Sequence, residues 1–383
     1  MSTGIVTSPF LTDETTIRDQ SFGIRTPSND LLINRRDLSE CERGVLEQLA
    51  FQYASVPESY DIAVSDGHVL QTPCRQGAMS VLVDGRFWHI AGGLLVPECQ
   101  KPETIRWLRT LSATQSRTIA LYNVSTIDAQ RFRNEGFVVN KLGEEPILTL
   151  RNVNWSGKPF EWVRRQSNFC IRAGVEISEV RDRKEQQEIG DTLVEIMSED
   201  LSGRTFDKPL RLLEGEFKPH DLQRRRLFIA RSSAGQVEAF LACSPIDAGD
   251  SWAFETYRKR NDATRGVTAH LFRTAIDLLR AEGVQQVSLC LIPGRNVRQS
   301  LVDGGDWRIR TTLSLLFHRL DFIFNAKGQD HFKSRFRPHY VDRYLCVAPN
   351  NSARSLWSFL KTTGAINGNH RNLLSQLRRR KPR

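Results

Sequence analysis

Helix-period segments enclose a run of short alternating stretches cut by Asp66-Gly67 and Asp84-Gly85, and a comparable order returns in the second half of the chain. This alternation restricts the fold more than any other feature, because a 3.6-residue period cannot settle as a strand and Asp-Gly supplies the backbone of tight hairpin turns. Cys41–Tyr53 is predicted as a helix with Val45, Leu46, Leu49 and Ala50 on its buried face. Ile62–Val64, Met79–Val83 and Trp88–Ala91 read as an antiparallel meander. A helix over Pro102–Ala113, a buried strand over Thr118–Val124, a helix over Ile127–Asn134 closed by Gly136, and strands at Phe137–Asn140 and Ile147–Leu150 complete this half.

The second half opens with a helix over Phe160–Ala173 stopped by Gly174, then a strand Val175–Val180 and a helix Glu185–Met197. Leu227–Arg231 and Val237–Ser244 read as paired strands across Ser233-Ala234-Gly235, and Trp252–Tyr257 alternates as a further strand. Thr268–Glu282 is the clearest helix, with Leu271, Phe272, Ala275, Ile276 and Leu279 on one face and Gly283 past its end. Strand Val284–Leu291 follows. The order is that of an α+β fold with a mixed sheet, in two similar units of residues 39–150 and 151–349. Residues 1–38 form a mobile leader rich in Thr, Ser and Asp, and residues 350–383 a basic C-terminal tail.

A length of 383 residues favours two units, and 39% hydrophobic with 26% charged residues lies inside the globular range. No run of about 18 apolar residues occurs, and the N-terminus lacks the order of a secretory signal, so a cytoplasmic location is expected. The seven cysteines are scattered without a CxxC pair, which argues against a zinc knuckle or a disulfide framework. There is no Gly-x-Ser-x-Gly elbow and no His-Glu-x-x-His, so serine and zinc hydrolysis are disfavoured. A net charge of +10 points to polyanionic partners, either nucleic acid or an anionic membrane surface. The Arg371–Arg383 segment carries six basic residues and no acid, which would suit either.

Several segments, taken in order, carry a resemblance. Ala129-Gln-Arg-Phe-Arg-Asn-Glu-Gly-Phe137 looks like the late helix, turn and strand of GNAT acyltransferases. Lys141-Leu-Gly-Glu-Glu145 follows, then Gly157-Lys-Pro-Phe160 with a helix bearing Arg165, Asn168 and Arg172. Further on comes Asn325-Ala-Lys-Gly-Gln-Asp-His-Phe-Lys-Ser-Arg-Phe-Arg-Pro338, then Arg343-Tyr344-Leu345. From about residue 45 to 347 the set resembles the phosphatidylglycerol lysyltransferase C-terminal domain family, the cytoplasmic part of the multiple peptide resistance factors. The resemblance implies tandem GNAT-like domains, with charged tRNA as co-substrate and a lipid hydroxyl, as in phosphatidylglycerol, as acceptor at the inner membrane surface. It implies no metal and no further cofactor.

Exchanging one ester for another needs no ATP; it needs two positioned alcohols, a proton acceptor and donors for the tetrahedral oxyanion. In Phe254-Glu-Thr-Tyr-Arg258 the resemblance places Glu255 and Arg258 at a family Asp-x-x-Arg pattern, with Glu255 replacing the Asp. In an ideal strand these two face opposite ways, so a joint role requires a bulge or an early strand end; the alternative is an exposed surface pair. A helix around Asp321–Arg335 sets Lys327, His331 and Arg335 in a basic ridge above Phe324, Phe332 and Phe336, with Lys333, Arg337 and Arg343 extending it; it would meet phosphates or simply stay solvated. Glu144 and Glu145 would hold the aminoacyl amino group or pair with Lys141 and Arg165. Arg165 and Asn168, with Arg164 and Arg172, make their helix suited to RNA phosphates, or equally to ordinary exposure.

Two alternatives stand beside this reading. A CoA-dependent N-acyltransferase would use the same fold, although its Gly-rich turn is reduced here to Arg265-Gly-Val-Thr-Ala269. A noncatalytic RNA- or membrane-binding protein is the other.

Overall fold

The computed structural model describes residues 32–365 apart from 65, 205, 207, 213–216, 221, 303–304 and 319–324. The first half runs β1 (Leu32–Asn34), α1 (Glu40–Tyr53), a 3-10 turn (Pro57–Tyr60), α2 (Asp61–Val64), β2 (His68–Gln71), β3 (Ala78–Asp84), β4 (Phe87–Leu95), α3 (Lys101–Thr114), β5 (Thr118–Val124), α4 (Thr126–Asn134) and β6 (Val138–Thr149). The second runs α5 (Glu161–Arg172), β7 (Glu176–Val180), α6 (Arg183–Ser202), β8 (Arg226–Arg231), β9 (Val237–Ile246), β10 (Ser251–Lys259), α7 (Val267–Ala281), β11 (Gln286–Ser288), β12 (Ile292–Pro293), α8 (Trp307–His318), α9 (Ala326–Ser334), β13 (His339–Ala348) and α10 (Ala353–Thr363).

Local chemistry accounts for most boundaries. Ser39 caps α1 in a capping box with Glu42, Asp182 accepts from the first backbone N–H groups of α6, and Gly283 adopts φ +88° after α7. Leu271, Phe272, Ala275, Ile276 and Leu279 of α7 are fully buried, the four larger side chains each contributing about 1.5–3 kcal/mol by leaving water. Gly85, at φ +59°, closes the β3–β4 hairpin at the expected Asp84-Gly85 turn.

The mixed α+β architecture is present, but as one continuous sheet in the order β1-β2-β3-β4-β5-β13-β6-β11-β10-β9-β8-β7, with β12 alongside β6. The expected two units are therefore not two separate sheets. In each half a run of antiparallel strands ends on a parallel pair, β4 with β5 and β10 with β11. Between these pairs the halves trade strands: β13 from the end of the chain pairs with β5, and β6 from the first half pairs with β11. β6 and β13 run antiparallel to one another from Val138↔Val347 to Ile147↔His339.

Other expectations change in detail. Ile62–Val64 lies in the one-turn helix α2, because these residues are buried on every side rather than on alternate faces. Phe137–Asn140 and Ile147–Leu150 belong largely to a single strand, β6. Val284–Leu291 breaks after Ser288, where Cys290 takes φ +64°. Strand β1 lies inside the expected leader and α10 inside the expected tail, while Phe324 and the Arg371–Arg383 run fall outside the described residues.

Candidate active site

At the middle of β10 the register slips. Phe254 faces Cys243 and Thr256 faces Ala242 on β9, which leaves Glu255 as the extra residue. A bulge of this kind re-aims a side chain, and here Glu255 and Arg258, three apart, both line one cavity of about 790 Å³. The surface-pair alternative is corrected by burial: the Glu255 side chain is only 5% exposed.

Arg225, just before β8, holds Glu255 at 3.3 Å and also donates to Ser244 at 2.9 Å; Ser244 in turn donates to Glu255. Burial raises the Glu255 carboxyl above the usual range, opposed by the Arg225 charge and the Ser244 hydrogen bond. Its Oε1 accepts no hydrogen bond among the described residues. The result is a carboxylate held in place yet reluctant to ionise, the condition of a proton acceptor. Arg258 Nε stands 3.5 Å from Asp200 of α6.

Two further charged groups enter the same cavity. Lys333 of α9 is buried, and its ammonium donates to the Cys290 carbonyl at 3.1 Å; burial lowers its pKa, against the pull of Cys290 and of Glu145 and Glu58. Glu58, on the Pro57–Tyr60 turn, is pushed up to about 7 by burial and by the charges of Glu145 and Glu255, against the hydrogen bond from Asn123. Much of the remaining lining is apolar: Tyr122, Leu142, Leu291 and Leu345 belong to one hydrophobic cluster there, with Leu313 of α8 and Phe359 of α10 packed against it. The cavity thus joins a charged site to an oily wall, as an amphipathic substrate requires.

The remaining expected site residues divide. Lys333 does not extend the ridge of α9 but points the opposite way, because Phe332 and Phe336 seat that side of the helix in the core of the second half. Lys327 and His331 are exposed and do not line the cavity; Lys327 donates to the His318 carbonyl at 3.0 Å, and a nitrogen of Arg335 lies 2.8 Å from the His331 ring. Arg335 also lies over the Trp162 ring of α5, 5.8 Å from its centroid. Arg165 and Asn168 sit on the exposed side of α5.

Glu144 pairs with Lys141 at 2.9 Å and with Arg295, and Glu145 with Arg343 and Ser288; none of the four pairs involves Arg165. Of these, Glu145–Arg343 joins the exchanged strands β6 and β13, whereas Glu144 pairs with Lys141 inside β6 and with Arg295 beyond β12; both glutamates are paired, though not with Arg165. Glu58, Arg225, Ser244 and Asn123 were not legible as site residues. Each is an ordinary polar residue whose significance is created by strand pairing across long sequence separations.

Among the described residues no group of three or more His, Cys, Asp or Glu could hold a metal ion. Nor, among them, is any helix long and apolar enough to cross a membrane.

A bulge-mounted buried carboxylate thus shares one partly oily cavity with an arginine and a lysine. Residues 49–347 match the phosphatidylglycerol lysyltransferase C-terminal family, and the chain belongs to that family. It is 23% identical over 248 residues to phosphatidylglycerol lysyltransferase of Bacillus subtilis, covering 64% of this chain. It is 22% identical over 319 residues to the lysylphosphatidylglycerol biosynthesis bifunctional protein LysX of Rhodococcus opacus, covering 81% of this chain. The chain spans 28% of the length of each of these relatives. Among solved structures, L-PGS of Bacillus licheniformis superposes with a TM-score of 0.69 at 19% identity, over 84% of this chain and 95% of that one. The C-terminal domain of a candidate lysylphosphatidylglycerol synthetase from Agrobacterium fabrum gives 0.68 at 20% identity, over 85% and 98%.

Proposed function

We propose that this chain transfers an aminoacyl group from a charged tRNA to a hydroxyl of phosphatidylglycerol or a related lipid. The observation that carries this reading is the single cavity in which Glu255, Arg258 and Lys333 meet an apolar wall. The lipid hydroxyl attacks the ester carbonyl and its proton passes to Glu255, forming one C–O bond. Arg258 and Lys333 supply hydrogen bonds to the oxyanion. Collapse breaks the bond to the tRNA ribose oxygen, which takes the proton back from Glu255. Atoms balance with no cofactor beyond the tRNA itself.

The exposed basic residues of α5 and the end of α9 support a place for the tRNA. Arg165 and Arg172 on α5 and His331 and Arg337 beside α9 are all exposed, and the two segments touch through Trp162 with Phe332 and through Arg337 with the Pro159 carbonyl. Such a face suits a phosphate backbone, and Lys333 reaches from the same helix into the cavity. We read the two halves as GNAT-like units of residues 39–150 and 151–349 that share β6 and β13. The turn before α7 favours an aminoacyl ester over a CoA thioester: its single Gly266 is overlaid by Gln166, whose atoms lie 2.7–3.3 Å from where a Cβ would stand.

Incubating the protein with labelled aminoacyl-tRNAs and vesicles containing phosphatidylglycerol, with labelled acetyl-CoA in parallel, tests the reading. Label in the lipid fraction is expected; acetyl transfer alone, or no transfer, overturns it.

A further inference from the structure

We infer that Glu58, steadied by Asn123, is the seat for the positively charged amino group of the aminoacyl substrate, a primary ammonium next to the carbonyl under attack. This inference rests on the aminoacyl-transfer reading and adds a binding residue from the opposite half of the molecule.

The turn bearing Glu58 is built to hold one position. Pro57 fixes its first residue, and Ser59 accepts from the Val56 N–H at 3.3 Å and donates to the Gly92 carbonyl at 2.8 Å. The turn packs against β4, β9 and β10, which brings a first-half carboxylate beside the second-half Glu255. Asn123, at φ +57° near the end of β5, donates its amide to Glu58.

Glu255 has Arg225 and Glu145 has Arg343, but no ion pair joins Glu58 to any cation among the described residues. Three carboxylates therefore stand within electrostatic reach of one another, and Lys333 is the cation acting on both Glu58 and Glu145. Two buried acceptors, Asn123 Oδ1 and Glu255 Oε1, receive no hydrogen bond among the described residues. Buried acceptors are seldom left without donors, and Glu255 and Glu58 both line the cavity, so the open Glu255 Oε1 and the carboxylate of Glu58 together suit a donor-rich, positively charged ligand group. A primary ammonium has three N–H donors and one positive charge, and every aminoacyl ester carries one on the carbon next to its carbonyl. Seated at Glu58, it presents that carbonyl to Glu255, Arg258 and Lys333 in the same cavity.

The test uses the full chain and a set of amino-acid amides as ester surrogates, alongside the same amides acetylated on the α-nitrogen. Binding is measured by calorimetry at pH 8 for wild type, Glu58→Gln and Glu58→Asp, each checked for folding by circular dichroism. Wild type is expected to bind at least one free amide at least tenfold more tightly than its acetylated form, with the preference lost in Glu58→Gln and partly kept in Glu58→Asp. Equal binding of free and acetylated amides by wild type, a preference undiminished in Glu58→Gln, or no amide binding by wild type overturns the inference. The vesicle assay is scored separately. Aminoacyl transfer without Glu58-dependent amide binding sinks only this inference, whereas Glu58-dependent binding without transfer to lipid sinks only the proposed function.

Discussion

The guanidinium of Arg225 lies over the ring of Tyr60, 5.5 Å from its centroid, while also holding Glu255 at 3.3 Å. A fully buried tyrosine from the first half thus braces the cation that fixes the carboxylate of the second. The site is assembled by contact between halves, and its electrostatics should respond to changes on either side.

Glu255→Gln keeps the side-chain volume but removes the proposed proton acceptor. Transfer should fall by about 10²–10⁴-fold, the usual contribution of a general base. The amide can still accept from Ser244 and Arg225, so the variant should remain folded, which circular dichroism checks. Unchanged turnover in a folded variant would exclude Glu255 as the base.

Arg225→Met leaves Glu255 without its cation, and since that charge lowers the Glu255 pKa, the pKa should climb. A base must be ionised to work, so the acid limb of the pH–rate profile should move alkaline by about one unit or more. A profile that does not move would mean that Glu255 does not govern the limb.

Gly92 stands at φ +79°, where a Cβ would lie 2.5 Å from the Glu58 carbonyl oxygen and 2.6 Å from the Ser59 Cα. Both atoms are backbone and cannot swing aside. Gly92→Ala should cost at least about 2 kcal/mol in chemical denaturation and displace Glu58. Wild-type stability would show that the turn is looser than it looks.

His89 is buried between Tyr122 and Ser358, 2.9 Å from each, and burial lowers its pKa from 6.5 to about 4 despite the nearby Asp84. The unfolded chain therefore binds more protons between those values. The contribution is fully present above pH 6.5 and falls away towards pH 4, by about 3 kcal/mol in all. His89→Gln should flatten the stability–pH curve in that window; parallel curves would refute the assignment.

Arg165→Glu on the exposed side of α5 should weaken tRNA binding and reduce the slope of log affinity against log salt by about 1 or more, with stability unaltered. Filter binding across a salt series reads both. Equal slopes would move the RNA to another face.

Local signals carried the elements well. The apolar stripe and terminal glycine of α7 and the Asp84-Gly85 hairpin are short-range features, and the structure places them where the residues do. The Glu255/Arg258 spacing even announced its own difficulty, since a shared face demanded the bulge that β10 contains. What stayed hidden depends on pairing between distant segments. No local pattern says that His339–Ala348 enters between β5 and β6, and this insertion makes one sheet of the expected two units. Glu58 was missed for a related reason: Pro57-Glu58-Ser59-Tyr60 reads as a surface turn until β9 and β10 close over it. Lys333 was assigned to the wrong side of its helix because a charge next to other charges looks solvated, although the Phe332 and Phe336 rings decide otherwise.

The insertion of β13 also sets an order of events during synthesis. While the ribosome is still producing the second half, β5 and β6 have emerged but their shared neighbour has not, and the bare edges of both are templates for any passing strand. Only when His339–Ala348 leaves the exit tunnel do these edges become interior, so a nascent chain arrested before that point is the form most exposed to aggregation.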